Sequence, residues 1–137
     1  MARVLVVGGD AAGMTAAAGL RRLLPGEHEV VVLERGHDTS YSACGIPYWV
    51  AGDVDSSDDL VARTPEQHRK NGIDLRLGVE ALSIDLEART AHTTEGDVTF
   101  DHLVLATGAE PVRPDLPGIG AEGILGVQSL DDGRAVL

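Results

Sequence analysis

A chain of 137 residues with 43% hydrophobic content can bury the core of one ordinary domain. Its formal charge of -11, from 22 acidic against 11 basic residues, would repel a nucleic-acid backbone or an anionic membrane surface, so neither partner is expected. One cysteine permits no internal disulfide, and no apolar run reaches the length of a signal-peptide core or a membrane span, which points to a cytoplasmic protein.

The opening RVLVVGGDAAGMTAAAGLRRLLPGEHEVVVLER divides into strand, glycine turn, helix and strand, the first βαβ unit of an α/β sheet. Ala16, Ala17, Leu20, Leu23 and Leu24 recur at helical spacing, Arg21 and Arg22 suit the negative end of the helix dipole, and Pro25-Gly26 stops the helix. Val30–Leu33 reads as a strand covered on both faces. The acidic stretch GDVDSSDDLVART has Asp58 and Thr64 where a calcium loop needs glycine and glutamate, so no calcium site is predicted. Thr64 as N-cap, Pro65 at the first position and Gly72 beyond the end predict a short helix.

IDLRLGVEALSIDLEARTAHTTEGDVTF then alternates apolar and polar residues in short strands, with Glu95-Gly96-Asp97 as a hairpin signal, predicting an antiparallel meander. HLVLATGA reads as a further buried strand ending in small residues, and Pro111, Pro114 and Pro117 mark an extended connection leaving the sheet. Ser129 is a candidate N-cap with Asp131 and Asp132 in the first turn, but the sequence stops at Leu137 without a helix stop signal. The expectation is therefore the front part of a longer polypeptide. His28, His37, His68, His92 and His102 show no metal-ligand spacing, so no metal is assigned.

Gly8, Gly9, Asp10, Ala11, Ala12 and Gly13 lie where a dinucleotide turn belongs, after a strand and opening a helix. Gly8 permits the tight turn, Gly13 lets helix and strand approach, and the free amides of the helix start suit a pyrophosphate. Glu34, 21 positions after Gly13, is placed for ribose hydroxyls and disfavours a 2′-phosphate. Asp10 stands where such turns usually carry a second glycine, so its carboxylate must point away from the phosphates. The alternative is a glycine-rich turn in an α/β domain that binds nothing. Cys44 sits in YSACGIPYWV with three of the four aromatic residues; it is either a small buried group or a reactive thiol.

Taken together, VVGGDAAGMTAA, the ER at 34–35, YSACGIPYWVAG and DHLVLATGAEP resemble the N-terminal part of the FAD-dependent pyridine nucleotide-disulfide oxidoreductases. More narrowly they are similar to the single-cysteine branch, which includes coenzyme A-disulfide reductase, NADH oxidase and NADH peroxidase. The resemblance implies a Rossmann-like FAD/NAD(P)-binding domain, a parallel sheet with helices plus an inserted antiparallel meander, in incomplete form. It implies FAD on the Gly8–Gly13 turn, with Glu34 and Arg35, the backbone around Val79 to Ala81 towards the adenine, and Ala106, Thr107 and Gly108 against the flavin nucleotide. Residues 1–110 would form the FAD-binding domain, and 111–137 would lead to an NAD(P)H-binding domain outside this sequence.

The same resemblance implies that hydride passes from NAD(P)H to the flavin and then to an oxidised sulfur at Cys44, a mixed disulfide or a sulfenic acid. The substrate would be a small disulfide, a peroxide or oxygen. A turn and short helix after Cys44 would favour its thiolate, and Tyr41, Tyr48 and Trp49 are either apolar walls around the sulfur or ordinary core packing. Thr15, Arg22 and Ser40 match coenzyme A contacts of the reductases, whereas Gly19 and Ala43 depart from the expected glutamine and asparagine. The full-length parent would be a homodimer, and the isolated chain would not turn over. From a different class, the competing expectation is a non-catalytic nucleotide-binding module.

Overall fold

Strands β1 (Ala2–Val7) and β2 (His28–Glu34) are runs of valine and leucine, residues that fit a pleated, buried surface. In the computed structural model, which describes residues 1–137, they join β3 (Ile73–Leu77) and β7 (His102–Leu105) in a parallel sheet of order β3-β2-β1-β7. Val4 pairs with Val30 and Val30 with Ile73; Val6 pairs with Val32 and Val32 with Leu75. Side-chain alternation divides each strand between two apolar layers.

On one face α1 (Ala11–Leu23) lays Met14 and Ala17 against Val4, Val6, Val30, Val32, Ile73 and Leu75. The other face is covered by the antiparallel strands β4 (Ala81–Asp85), β5 (Thr90–Thr93) and β6 (Gly96–Thr99). There Leu5, Val7, Val31 and Leu33 meet Val79, Ala91, Val98 and Phe100. Strands covered on both faces need nearly continuous apolar runs, and Val4–Val7 and Val30–Leu33 supply them. The α/β class, the parallel sheet and an inserted meander follow the reading of the sequence, but IDLRL, read as the start of that meander, is β3 and pairs in parallel with β2, its apolar Ile73 and Leu75 buried against α1's face of the sheet.

Three further details differ from that reading. First, β7 is not a buried strand: it pairs only with β1, at the sheet edge, and Leu105 is 66% exposed. Second, Leu23 is exposed rather than part of the α1 core face. The close approach at Gly13 sets the buried stripe through Met14 and Ala17; Leu23 falls off that stripe, and Leu24 is already the C-cap. Third, the hairpin turns one position early: Thr93 pairs with Gly96, leaving Thr94-Glu95 as the turn, and Gly96 takes φ +107° inside β6. By contrast, α3 (Pro65–Lys70) matches the expected short helix, with a capping box in which the Thr64 side chain accepts from the Gln67 N–H and the Gln67 side chain from the Thr64 N–H.

These elements belong to one compact unit, residues 1–41 and 63–108; residues 42–62 and 109–137 form a second. In the second unit a 3-10 turn (Ala43–Gly45) runs into α2 (Ile46–Ala51), and a further 3-10 turn spans Ser57–Leu60. The C-terminal helix α4 (Leu130–Val136) starts from a capping box between Ser129 and Asp132, so Ser129 is the N-cap that the sequence suggests. Helix α2 buries Ile46 and Trp49, one turn apart, against α4 at Gly133. A Cβ on Gly133 would lie 2.6 Å from Trp49 Cζ3 and 3.0 Å from Ile46 Cγ2. Only glycine allows that approach.

Candidate nucleotide turn and reactive thiol

The chain leaves β1 through Gly8, whose N–H donates to the Leu33 carbonyl and whose φ is +109°. A Cβ on Gly8 would sit 2.1 Å from the Ala106 carbonyl oxygen, and one on Gly13 would sit 1.8 Å from the Gly8 carbonyl oxygen. Two glycines are thus fixed by backbone packing on either side of a turn that opens α1. Ala11 and Ala12 are exposed in the first turn of α1, while Gly13 is buried beneath them. First-turn amides have no partner inside a helix and suit an anion.

Glu34, at the end of β2, closes the other side of the turn. One of its carboxylate oxygens accepts from the Gly9 N–H at 2.7 Å and the other from the Gly36 N–H at 2.7 Å. Each oxygen keeps a further lone pair, so the group is oriented and still able to accept from a diol. A Cβ on Gly9 would meet the Glu34 Cβ at 2.7 Å. Arg35 is exposed at the same strand end.

Asp10 is the N-cap of α1 but makes no side-chain capping bond. Burial raises its pKa from the ordinary carboxylate value, opposed first by the Tyr41 amide; the Glu34 charge adds to the rise, while the Ala11 and Ser40 amides oppose it. The Asp10 Oδ1 is buried with no hydrogen-bond partner.

Beside it runs a connected set of polar groups that neither spacing nor composition connects. Thr39 is buried, and its hydroxyl donates to the Gly9 carbonyl at 2.5 Å. Ser40, in the left-handed region at φ +52°, lies 2.8 Å from Nε2 of the buried His68 on α3. Burial lowers the His68 pKa, and the charge of Arg63 lowers it further.

The remaining expected site residues are dispersed over the first unit. The Thr15 hydroxyl donates to the Ala11 carbonyl at 2.6 Å, and Thr15 and Arg22 are both exposed on α1. Ala106 donates its N–H to the Val7 carbonyl, and Thr107 and Gly108 are exposed beyond β7. Ala81 begins β4; the Val79 N–H before it is taken by the Glu34 carbonyl, and Glu80 is bonded through both backbone groups to Thr94.

In the second unit Cys44 is exposed. The buried alternative therefore falls. Its turn is held by the Gly45 N–H donating to the Ser42 carbonyl and the Ser42 N–H donating to the Leu60 carbonyl. A Cβ on Gly45 would meet Leu60 Cδ2 at 2.4 Å, so the residue after the sulfur must be small. Gly45 rather than Cys44 is the N-cap of α2. Of the three aromatic walls expected around the sulfur, Trp49 is core packing at 9% exposure, Tyr48 is 60% exposed, and Tyr41 is half-buried in the other unit. No group of three or more His, Cys, Asp and Glu side chains is arranged to hold a metal ion, and no helix is long and apolar enough to cross a membrane.

The sequence pattern of the pyridine nucleotide-disulphide oxidoreductases matches residues 2–137. The chain belongs to that family. Among its relatives, an NADH oxidase of Methanocaldococcus jannaschii is 34% identical over 98% of the chain and 31% of its own length. An NAD(P)H coenzyme A polysulfide/persulfide reductase of Pyrococcus horikoshii is 36% identical over 98% of the chain and 30% of its own length. The water-forming NADH oxidase of Lactobacillus brevis, solved bound to NADH, superposes with a TM-score of 0.91 at 27% identity, over 99% of this chain and 31% of that one. The chain thus spans about three-tenths of the length of those relatives.

Proposed function

We propose that this chain is the FAD-binding part of an NAD(P)H oxidoreductase that reduces a small disulfide, a peroxide or oxygen through Cys44. The observation that carries the reading is the double backbone approach at Gly8 and Gly13, a cradle that any side chain would fill. The turn fits a dinucleotide: the amides of Ala11 and Ala12 would receive the pyrophosphate. The lone pairs that Glu34 has left would accept from a ribose diol, with Arg35 beside it at the strand end. Ala106, Thr107 and Gly108 would line the nucleotide with little more than backbone, and the segment ending at Ala81 would face the adenine.

When bound, FAD would supply hydride acceptance from NAD(P)H and electron transfer to sulfur. The role of this chain's residues is narrower. The turn orients the cofactor, and the exposed Cys44, held on a turn that Leu60 pins, presents a nucleophilic sulfur to a small substrate. Thr15, Arg22 and Ser40 are the candidate substrate contacts. Gly19 and Ala43, in place of the amide side chains of coenzyme A-disulfide reductases, argue against strong coenzyme A selectivity. The parent is expected to be a cytoplasmic homodimer, and a chain of this length alone is expected to bind FAD without turnover. Residues 1–110 serve as the cofactor domain in this reading and 111–137 as the exit towards an NAD(P)H domain.

Titration of FAD into the purified protein, read by quenching of flavin fluorescence, tests the site. Wild-type protein binds, and Gly13→Val does not. Equal binding by the two would overturn the assignment.

A further inference from the structure

The buried, unpartnered Nδ1 of His68 and the valence of the neighbouring groups together assign the proton positions in the Thr39–Ser40–His68 set. A carbonyl only accepts, so the single Thr39 hydroxyl proton goes to Gly9 O. In the longer Thr39–Ser40 contact, 3.4 Å, Thr39 can then only accept, which makes Ser40 the donor. With its own proton used there, Ser40 must accept from His68, so His68 carries its proton on Nε2, 2.8 Å away. His68 Nδ1 is buried without a partner. In this arrangement it is a bare acceptor, which is less costly than an unpaired buried N–H. Both lines of reasoning give one tautomer and one direction of donation, from α3 to the phosphate turn.

The set also explains two local oddities. Ser40 holds φ +52°, a conformation that favours glycine and that a serine keeps only when its surroundings compensate. The bond from His68 is such a compensation. Gly9 is fixed on both sides, its N–H by Glu34 and its carbonyl by Thr39. The first bond sets the plane of the Gly8–Gly9 peptide and the second that of the Gly9–Asp10 peptide, and with it the direction of the Asp10 amide at the start of α1.

We infer that His68 is a positioning residue for the cofactor: it holds Ser40 in its left-handed conformation, which seats Thr39 under the Gly9 carbonyl and presets the phosphate turn. This role rests on the reading of that turn as the FAD site.

The test is FAD affinity in four proteins. His68→Phe fills the space without a donor and should weaken FAD binding about ten-fold, the scale of one lost buried hydrogen bond. His68→Gln can still donate from the position of Nε2 and should stay within about three-fold of wild type. The double variant His68→Phe/Ser40→Gly should recover most of the loss, because glycine takes φ +52° without help; a merely structural role for the ring would leave it as weak as the single variant. If His68→Phe does not fold, Ser40→Ala removes the same bond while keeping the backbone cost, and should weaken binding similarly. Nitrogen NMR of the cofactor-free protein should find neutral His68 with its proton on Nε2. Wild-type binding by both His68→Phe and Ser40→Ala, no recovery in the double variant, or an Nδ1–H tautomer would overturn the inference alone. Failure of the wild-type protein to bind FAD would overturn the function reading and this role with it.

Discussion

The phosphate turn and the cysteine turn are both glycine-bearing corners, yet they are held in opposite ways. At Gly8 and Gly13 backbone meets backbone, with a Cβ placed 2.1 Å and 1.8 Å from carbonyl oxygens. At Gly45 the neighbour is the end of a leucine side chain, and the nearby approach at Gly133 is to an indole ring. Main chain cannot move aside without breaking the sheet, whereas a leucine or tryptophan can shift at a moderate cost. The first corner is therefore a rigid cradle set by main chain. The second is an adjustable mount for one exposed sulfur.

The strongest way to break this contrast is at Gly13, where valine should lower FAD affinity by at least about a hundred-fold, since no side-chain rearrangement relieves a clash between Cβ and main chain. Fluorescence titration measures it. Next comes Cys44→Ser. It should abolish NADH-dependent reduction of disulfide, peroxide or oxygen by the full-length parent while changing FAD affinity by less than about three-fold, because the cradle needs no sulfur. Retained reduction by that variant would remove Cys44 from the chemistry.

A moderate effect is expected at Gly133. Alanine there crowds Trp49, and overpacking of this kind costs about 1–3 kcal/mol. The chain's one tryptophan reports it directly, as a lowered urea midpoint followed by its fluorescence. A midpoint unchanged from wild type would show that α4 does not press on α2 as described.

The smallest effects are titrations. Burial raises the Asp10 pKa, so the folded turn holds that proton more tightly than the unfolded chain does. Its stabilisation is present in acid and lost as pH rises through the folded value. Asp10→Asn should therefore be more stable than wild type at neutral pH, bind FAD up to about ten-fold tighter, and lose that advantage in acid. His68 has the reverse sign. Its pKa is lowered in the fold, so the unfolded chain takes up the proton first. Stability is full above about pH 6.5 and declines as pH falls from there towards the folded value. Urea unfolding across pH should show that decline in wild type and its absence in His68→Phe.

How much of this could be read in the chain depends on how far apart the contacting residues lie. The βαβ unit and its cradle were legible because Gly8, Gly13 and Glu34 do their work within one supersecondary motif, where spacing alone fixes geometry. The core face of α1 was legible at Ala17 and Leu20 but not at Leu23, because helical periodicity does not reveal which stripe a close approach selects. The edge position of β7 was hidden for a related reason: HLVL is apolar enough for a central strand, and only pairing decides which neighbour it has. The links from His68 to Ser40 and from Gly133 to Trp49 left no local trace at all. Each joins residues far apart in sequence whose types are ordinary on their own.

Glu34 carries a further consequence. A glutamate free in solution samples many rotamers, and freezing them on contact with a ligand typically costs about 0.5–1.5 kcal/mol. Here both carboxylate oxygens are already tethered to main-chain amides, so that cost is met on folding rather than on association. Calorimetry would see it as an entropy of cofactor association that turns less favourable in Glu34→Gln, whose side chain can accept one of those amides but not both. The carboxylate would be set for the complex before any complex exists.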